Sequence, residues 1–131
     1  MKINYVEHKD GTKLFSFYRH DFQTYGEGED LVGIDGGFDY QRIIGTTTSK
    51  QGEIKELIQD IREQFTWGKN FDENNVQLEK TEYIKLKDLT TSHIVNILIY
   101  FTNKLKPDST LVPGWISVHS IFLEELNYRK L

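Results

Sequence analysis

Cysteine is missing from the chain. Its absence excludes disulfides, thiolate nucleophiles and cysteine-ligated zinc or iron–sulfur centres. Long apolar runs are missing too. The longest, Ile97-Leu98-Ile99-Tyr100-Phe101, falls far short of the ~20 residues that cross a bilayer. The first residues, Met1-Lys2-Ile3-Asn4-Tyr5, hold no apolar signal core, so a cytoplasmic protein without membrane association is expected. Positive charge is not in excess either: the formal net charge is -4, and Lys and Arg are scattered. A domain that coats a phosphate backbone is normally basic on one face, so bulk nucleic-acid binding is not expected. A local basic pocket for one small anion is compatible with the same composition.

What is present fits one folded domain. The length is 131 residues, with 37% hydrophobic and 27% charged residues, too apolar for a disordered chain. Aromatic residues reach 13%, from eight Phe, seven Tyr and two Trp. They serve either a core or a site that stacks on planar ligands.

The N-terminal third reads as strands. Residues 3–7 alternate, placing Ile3, Tyr5 and Glu7 on one face, and Asp10-Gly11 signals a tight turn into residues 13–19. Residues 25–30 read as an acidic loop. Residues 31–34 and 38–44 read as two further strands joined through Asp35-Gly36-Gly37, where positive φ is expected. Thr48 and Gln51 fit a capping box for a first helix, whose stripe is Ile54, Leu57, Ile58, Ile61 and Phe65 and whose end lies near Trp67-Gly68. A loop over 69–75 and a strand over 82–86 follow. Thr90, Thr91 and Ser92 offer caps for a second helix, with Ile94, Ile97, Leu98, Phe101 and Leu105 along one side and Pro107 as its stop. Pro113-Gly114 precedes a third helix carrying Trp115, Val118, Phe122 and Leu126. The pattern predicts an α+β fold: a small, mostly antiparallel N-terminal sheet covered by three helices, in a single ligand-binding domain over residues 1–131.

Several residues carry candidate chemistry. Arg19-His20-Asp21 is the densest polar cluster, and an Arg there can grip a phosphate bidentately while an acid orients it. An edge-strand ion pair explains the same residues. Asp35-Gly36-Gly37 can bring backbone N–H groups to an anion, or form a plain hairpin turn. Tyr40 and Arg42 lie two apart, suited to a base and its phosphate, or to a surface pair. Trp67 suits a pocket rim or the core. His8, His20, His93 and His119 show no metal-ligand spacing, and His93 near a helix N-terminus is expected to be neutral. Arg129 suits the C-terminal end of the last helix or a neighbouring subunit's pocket. No serine lies in a Gly-x-Ser-x-Gly elbow, and no Walker-type Gly-Lys-Ser/Thr occurs. No catalytic residue, metal or cofactor is expected.

Tyr18-Arg19-His20-Asp21-Phe22 and Ile34-Asp35-Gly36-Gly37-Phe38-Asp39-Tyr40-Gln41-Arg42 resemble a pattern common in small phage-encoded proteins. Phe65-Thr66-Trp67-Gly68, Leu86-Lys87-Asp88-Leu89, Ser92 to Leu98 and Glu125-Leu126-Asn127-Tyr128-Arg129 agree with it. Within that group the chain looks most like the Thoeris anti-defence sponge proteins. The resemblance implies immune evasion: an oligomer, dimer-based up to a hexamer, that sequesters cyclic ADP-ribose-type or cyclic oligonucleotide signals without cleaving them. It implies that Arg19, Arg42 and Arg129 bind phosphate. Phe65, Trp67 or Tyr40 would stack on adenine, and His93 or Asn96 would bond ribose or base, with His20 and Asp35 nearby. Two other readings stand beside it. One is a metal-dependent nucleotide or phosphate-ester hydrolase using His20, Asp21, Asp35 and Asp39. The other is a protein that blocks a host protein by contact through the acidic residues 27–30.

Overall fold

The computed structural model describes residues 1–18, 20–37, 41–45, 47–71, 74, 76–104 and 113–130, with backbone alone at 101–104 and 113–115. Among these residues the fold is α+β, with three α-helices and three small antiparallel sheets. The expected single sheet is instead divided, because the strands are short and pair in separate groups.

The first sheet has the order β2-β1-β6, from β1 (Lys2–Glu7), β2 (Lys13–Leu14) and β6 (Lys50–Glu53). The expected hairpin is present. Its turn is closed by His8 N–H to Thr12 O at 2.8 Å and Gly11 N–H to His8 O at 2.8 Å, with Gly11 at φ 94°. The second strand is shorter than residues 13–19, since only Lys13 and Leu14 pair with β1. The second sheet has the order β3-β4-β5, from β3 (Gln23–Tyr25), β4 (Val32–Asp35) and β5 (Arg42–Gly45). Gly36 and Gly37 follow β4 with φ of 94° and 67°, the positive values expected there.

β1 is buried on both sides. Ile3 belongs to the main core, with Tyr5 packed against it, while Val6 points the other way into a smaller cluster with Leu14, Val32 and Ile34. Side chains on a strand alternate between faces, so one strand serves both interiors. The smaller cluster is what binds the first sheet to the second.

The first helix, α1, spans Ile54–Gln64, later than the capping box at Thr48 and Gln51 predicts. Residues Lys50–Glu53 pair instead with Lys2–Tyr5. That ladder satisfies backbone groups a helix would otherwise use. Gly52 also suits the strand, since a Cβ there would come within 3.0 Å of Leu57 Cδ1. α1 buries Ile54, Leu57, Ile58 and Ile61, as its periodicity indicates. It ends at Phe65, and the chain passes directly into β7 (Thr66–Phe71), paired with β8 (Gln77–Lys85). Trp67-Gly68 is therefore strand, not a helix end, and the first three residues of the loop expected over 69–75 are strand.

The second helix, α2, spans Thr91–Lys104 and is capped by Thr90, whose hydroxyl accepts His93 N–H at 3.2 Å. The third, α3, spans Pro113–Arg129. Ile94 and Ile97 of α2 and Val118, Ile121 and Phe122 of α3 complete the main core around Phe15, Phe17 and Phe65. Leu105 and Pro107 lie outside the described residues, as do the side chains of Phe101 and Trp115. No helix among the described residues is long and apolar enough to cross a membrane.

Candidate functional site

A cleft of about 600 Å³ opens between the segment after β2 and the β7–β8 hairpin. That is within the ~300–1,000 Å³ range of small-molecule sites. Its aromatic walls are Phe17, Tyr18, Trp67 and Tyr83, and its polar lining includes His20, Asp21, Gln23, Gln64 and Thr66.

The segment is shaped by hydrogen bonds that sequence alone does not display. The Asp21 carboxylate accepts Phe17 N–H at 2.9 Å and Gln23 Nε2–H at 2.6 Å. Ser16, only 2% exposed, donates its hydroxyl to Asp21 O at 2.6 Å and accepts Gly37 N–H at 2.8 Å. The cleft segment is thereby tied to the Asp35-Gly36-Gly37 turn. The opposite wall is fixed by strand register. Gly68 lies opposite Tyr83, and a Cβ at Gly68 would meet the Tyr83 ring at 3.5 Å. The Tyr83 ring lies at ordinary contact distance from that position and stays 72% exposed. Trp67 packs edge-on to Phe122 with centroids 5.2 Å apart, so the core supports the cleft wall.

Tyr18 joins the two walls. Its hydroxyl donates to Thr66 O at 2.7 Å. Burial, aided by the charge of Asp21 and by Tyr83, raises its phenol well above the usual value, so it stays neutral and hydrogen-bonded.

The structure brings His20 and Trp67 together in this cleft. Phe65 is not available to a ligand. It is fully buried, packed edge-on to Phe17 at 5.0 Å and to Phe122 at 5.5 Å. Arg129 is likewise committed elsewhere. Its Nε donates to Glu125 at 2.6 Å, its Nη1 to Thr91 Oγ1 at 3.0 Å and its Nη2 to Leu86 O at 2.9 Å. Glu125 is fully buried and also holds Arg62 through two bonds, at 2.9 and 3.1 Å. Arg129 is thus a latch between α3, the start of α2 and the turn before it.

Arg42 pairs with Asp35, its direct neighbour across the β4–β5 ladder, and its side chain is 78% exposed. Within the chain Arg42 and Arg129 serve separate partners, so they do not form one cationic slot. Gly37 N–H, a candidate anion donor, is spent on Ser16. His93 is partly buried at the start of α2; burial, then the charge of Lys69, lowers its pKa and favours the neutral ring expected from sequence. Asn96 is exposed on α2. Arg19, Asp39 and Tyr40 lie outside the described residues. Among the described residues no cluster of three metal-ligating side chains occurs.

Tyr18, Gln23, Gln64, Thr66 and Tyr83 were not singled out as ligand contacts by their sequence. Tyr83 alternates as a strand residue should, but only the register shows which glycine it covers. Comparison with known proteins finds no protein family, curated protein or solved structure that matches the chain.

Proposed function

We propose that the protein binds a small nucleotide and holds it without cleaving it, as the anti-defence sponge proteins it resembles hold cyclic ADP-ribose-type signals. The observation that carries this reading is the cleft between Tyr18, Trp67 and Tyr83. It is large enough for a nucleotide base and sugar, and the exposed rings of Tyr18 and Tyr83 offer aromatic surface in it. Stacking of a base on an aromatic side chain contributes ~1–3 kcal/mol. The interior polar groups support binding over turnover: the Ser16 hydroxyl is consumed by Asp21 O, and the Asp21 carboxylate holds its own segment. The phosphate contacts expected of Arg42 and Arg129 are not part of this cleft.

The test is native mass spectrometry against a panel of cyclic nucleotides and ADP-ribose derivatives, followed by heating of the complex. A bound species recovered intact supports the proposal. Binding of none of the panel, or recovery of a cleaved product, overturns it.

A further inference from the structure

The outward side of α2 differs from the solvent-facing side of α1. From Thr91 to Asn103 the helix carries no Asp, Glu, Lys or Arg, in a chain where 27% of residues are charged. Burial, then the charge of Lys69, favours a neutral His93, so the ring adds no charge at neutral pH. Ile94 and Ile97 turn inward to the core, with 0% and 7% exposure. Ser92, Val95, Asn96 and Ile99 follow the i, i+3, i+4, i+7 spacing of the opposite side, and all four are exposed. On α1 the exposed positions are Lys55, Glu56, Gln59 and Glu63, a mixed and mostly charged set.

A partner that covers an uncharged side has to bring no charge of its own, since a charge buried there would go unpaired. A second copy of the same helix meets that condition from both directions. The whole chain carries -4, so two copies approach best where neither presents charge. The stripe is also complementary to itself. Asn96 lies near its middle, and a carboxamide both donates and accepts, so two such groups at a two-fold axis pair with each other. Val95 and Ile99 flank it with apolar surface, 40% and 54% exposed. A single Asn in an apolar helix seam fixes the register of a helix pair in the same way.

We infer that the outward side of α2 is a homodimer contact, in which Val95 and Ile99 pack across a two-fold axis and Asn96 pairs with Asn96 of the partner subunit. The contact goes beyond the nucleotide-binding function proposed above, and no described residue of α2 lines the cleft. Four side chains are far fewer than the about 20–30 per side of a standard interface, so the dimer is reversible and builds with concentration.

The experiment is sedimentation velocity on the full chain from about 5 to about 500 μM, the span over which a small interface fills. The expected result is a shift from the 15.4 kDa monomer toward twice that mass. Ile99→Lys brings like charge into the contact from both copies and weakens association by at least about tenfold. Its circular dichroism matches the parent protein, because the position is exposed. Asn96→Asp keeps the side-chain shape and adds one carboxylate per copy; it weakens association in low salt, and added salt restores part of it. Because the chain has no cysteine, Asn96→Cys places a single thiol near the axis and crosslinks the dimer on oxidation, while Gln59→Cys on α1 does not. A monomer across the whole concentration range overturns the inference. So does a dimer that Ile99→Lys leaves intact, or one that crosslinks as fast through Gln59→Cys as through Asn96→Cys. The proposed function fails on a different result, the absence of any bound nucleotide in the panel.

Discussion

Replacing Glu125 tests whether Arg129 is a structural latch or a ligand residue. The carboxylate is fully buried and receives three guanidinium bonds, two from Arg62 and one from Arg129. Arg62 in turn lies over the Tyr128 ring, 4.5 Å from its centroid. In Glu125→Gln both guanidinium groups lose their counter-charge while largely enclosed, with side chains 21% and 19% exposed. Breaking a buried ion pair from one side costs about 3–5 kcal/mol. Here the cost belongs near the middle of that range, because both cations keep some contact with water while three bonds are weakened at once. A loss of about 4 kcal/mol lowers the urea midpoint by roughly 2 M at an m-value of ~2 kcal/mol/M. The same loss lowers Tm by roughly 10–15 °C. Urea denaturation followed by circular dichroism measures it. The triple variant Arg62→Met, Glu125→Leu, Arg129→Met removes the charges together and recovers most of the stability, because the penalty comes from unpaired charge. A single-variant loss below about 1 kcal/mol, the size of a surface pair, refutes the reasoning. So does an Arg129→Met protein that keeps its stability and loses nucleotide affinity.

Other outcomes follow from the same structure. Tyr83→Ala weakens nucleotide binding by about 5- to 150-fold, the worth of one stacked base, and lowers stability by under about 1 kcal/mol, measured by titration and urea unfolding. Gly45→Ala destabilises far more than Gly11→Ala. Both glycines have positive φ, 97° and 94°, but a Cβ at Gly45 collides with the Leu31 carbonyl whereas one at Gly11 meets open space. Strain alone predicts about 1 kcal/mol at Gly11, and thermal unfolding of the two variants ranks them. His93 gives a pH dependence. Its folded pKa lies below the ordinary 6.5, so the unfolded chain takes up the proton first as pH falls. The stability contribution is complete above pH 6.5 and is lost as pH drops through the lowered folded value. His93→Gln flattens that part of the stability profile between pH 7.5 and 5.

Local signals in the sequence carried much of the fold. The run Thr90-Thr91-Ser92 before an apolar stripe located the start of α2 to within a residue or two, because a cap and its helix are neighbours in the chain, and the structure selects Thr90. Asp10-Gly11 located the first hairpin for the same reason. The start of α1 was hidden, since Lys50–Glu53 become strand only through pairing with Lys2–Tyr5, some fifty residues away. The candidate site divided along the same line. His20 and Trp67 were visible as residue types, and both line the cleft. Phe65, two positions before Trp67, packs on the same core but is fully buried, whereas Trp67 is only partly so. Arg129 resembles a free terminal cation until Glu125, Thr91 and Leu86 are seen around it. Periodicity shows which side of an element is apolar, but not which distant acceptor has already engaged a guanidinium.

The Ser16 hydroxyl sits at a junction where two regions remote in sequence become interdependent. A replacement near Gly37 that shifts its N–H redirects that hydroxyl, and with it the peptide bearing the Asp21 carbonyl. Changes in a hairpin turn outside the cleft can therefore reach its lining, and any redesign of that lining has to treat the two segments as a single unit.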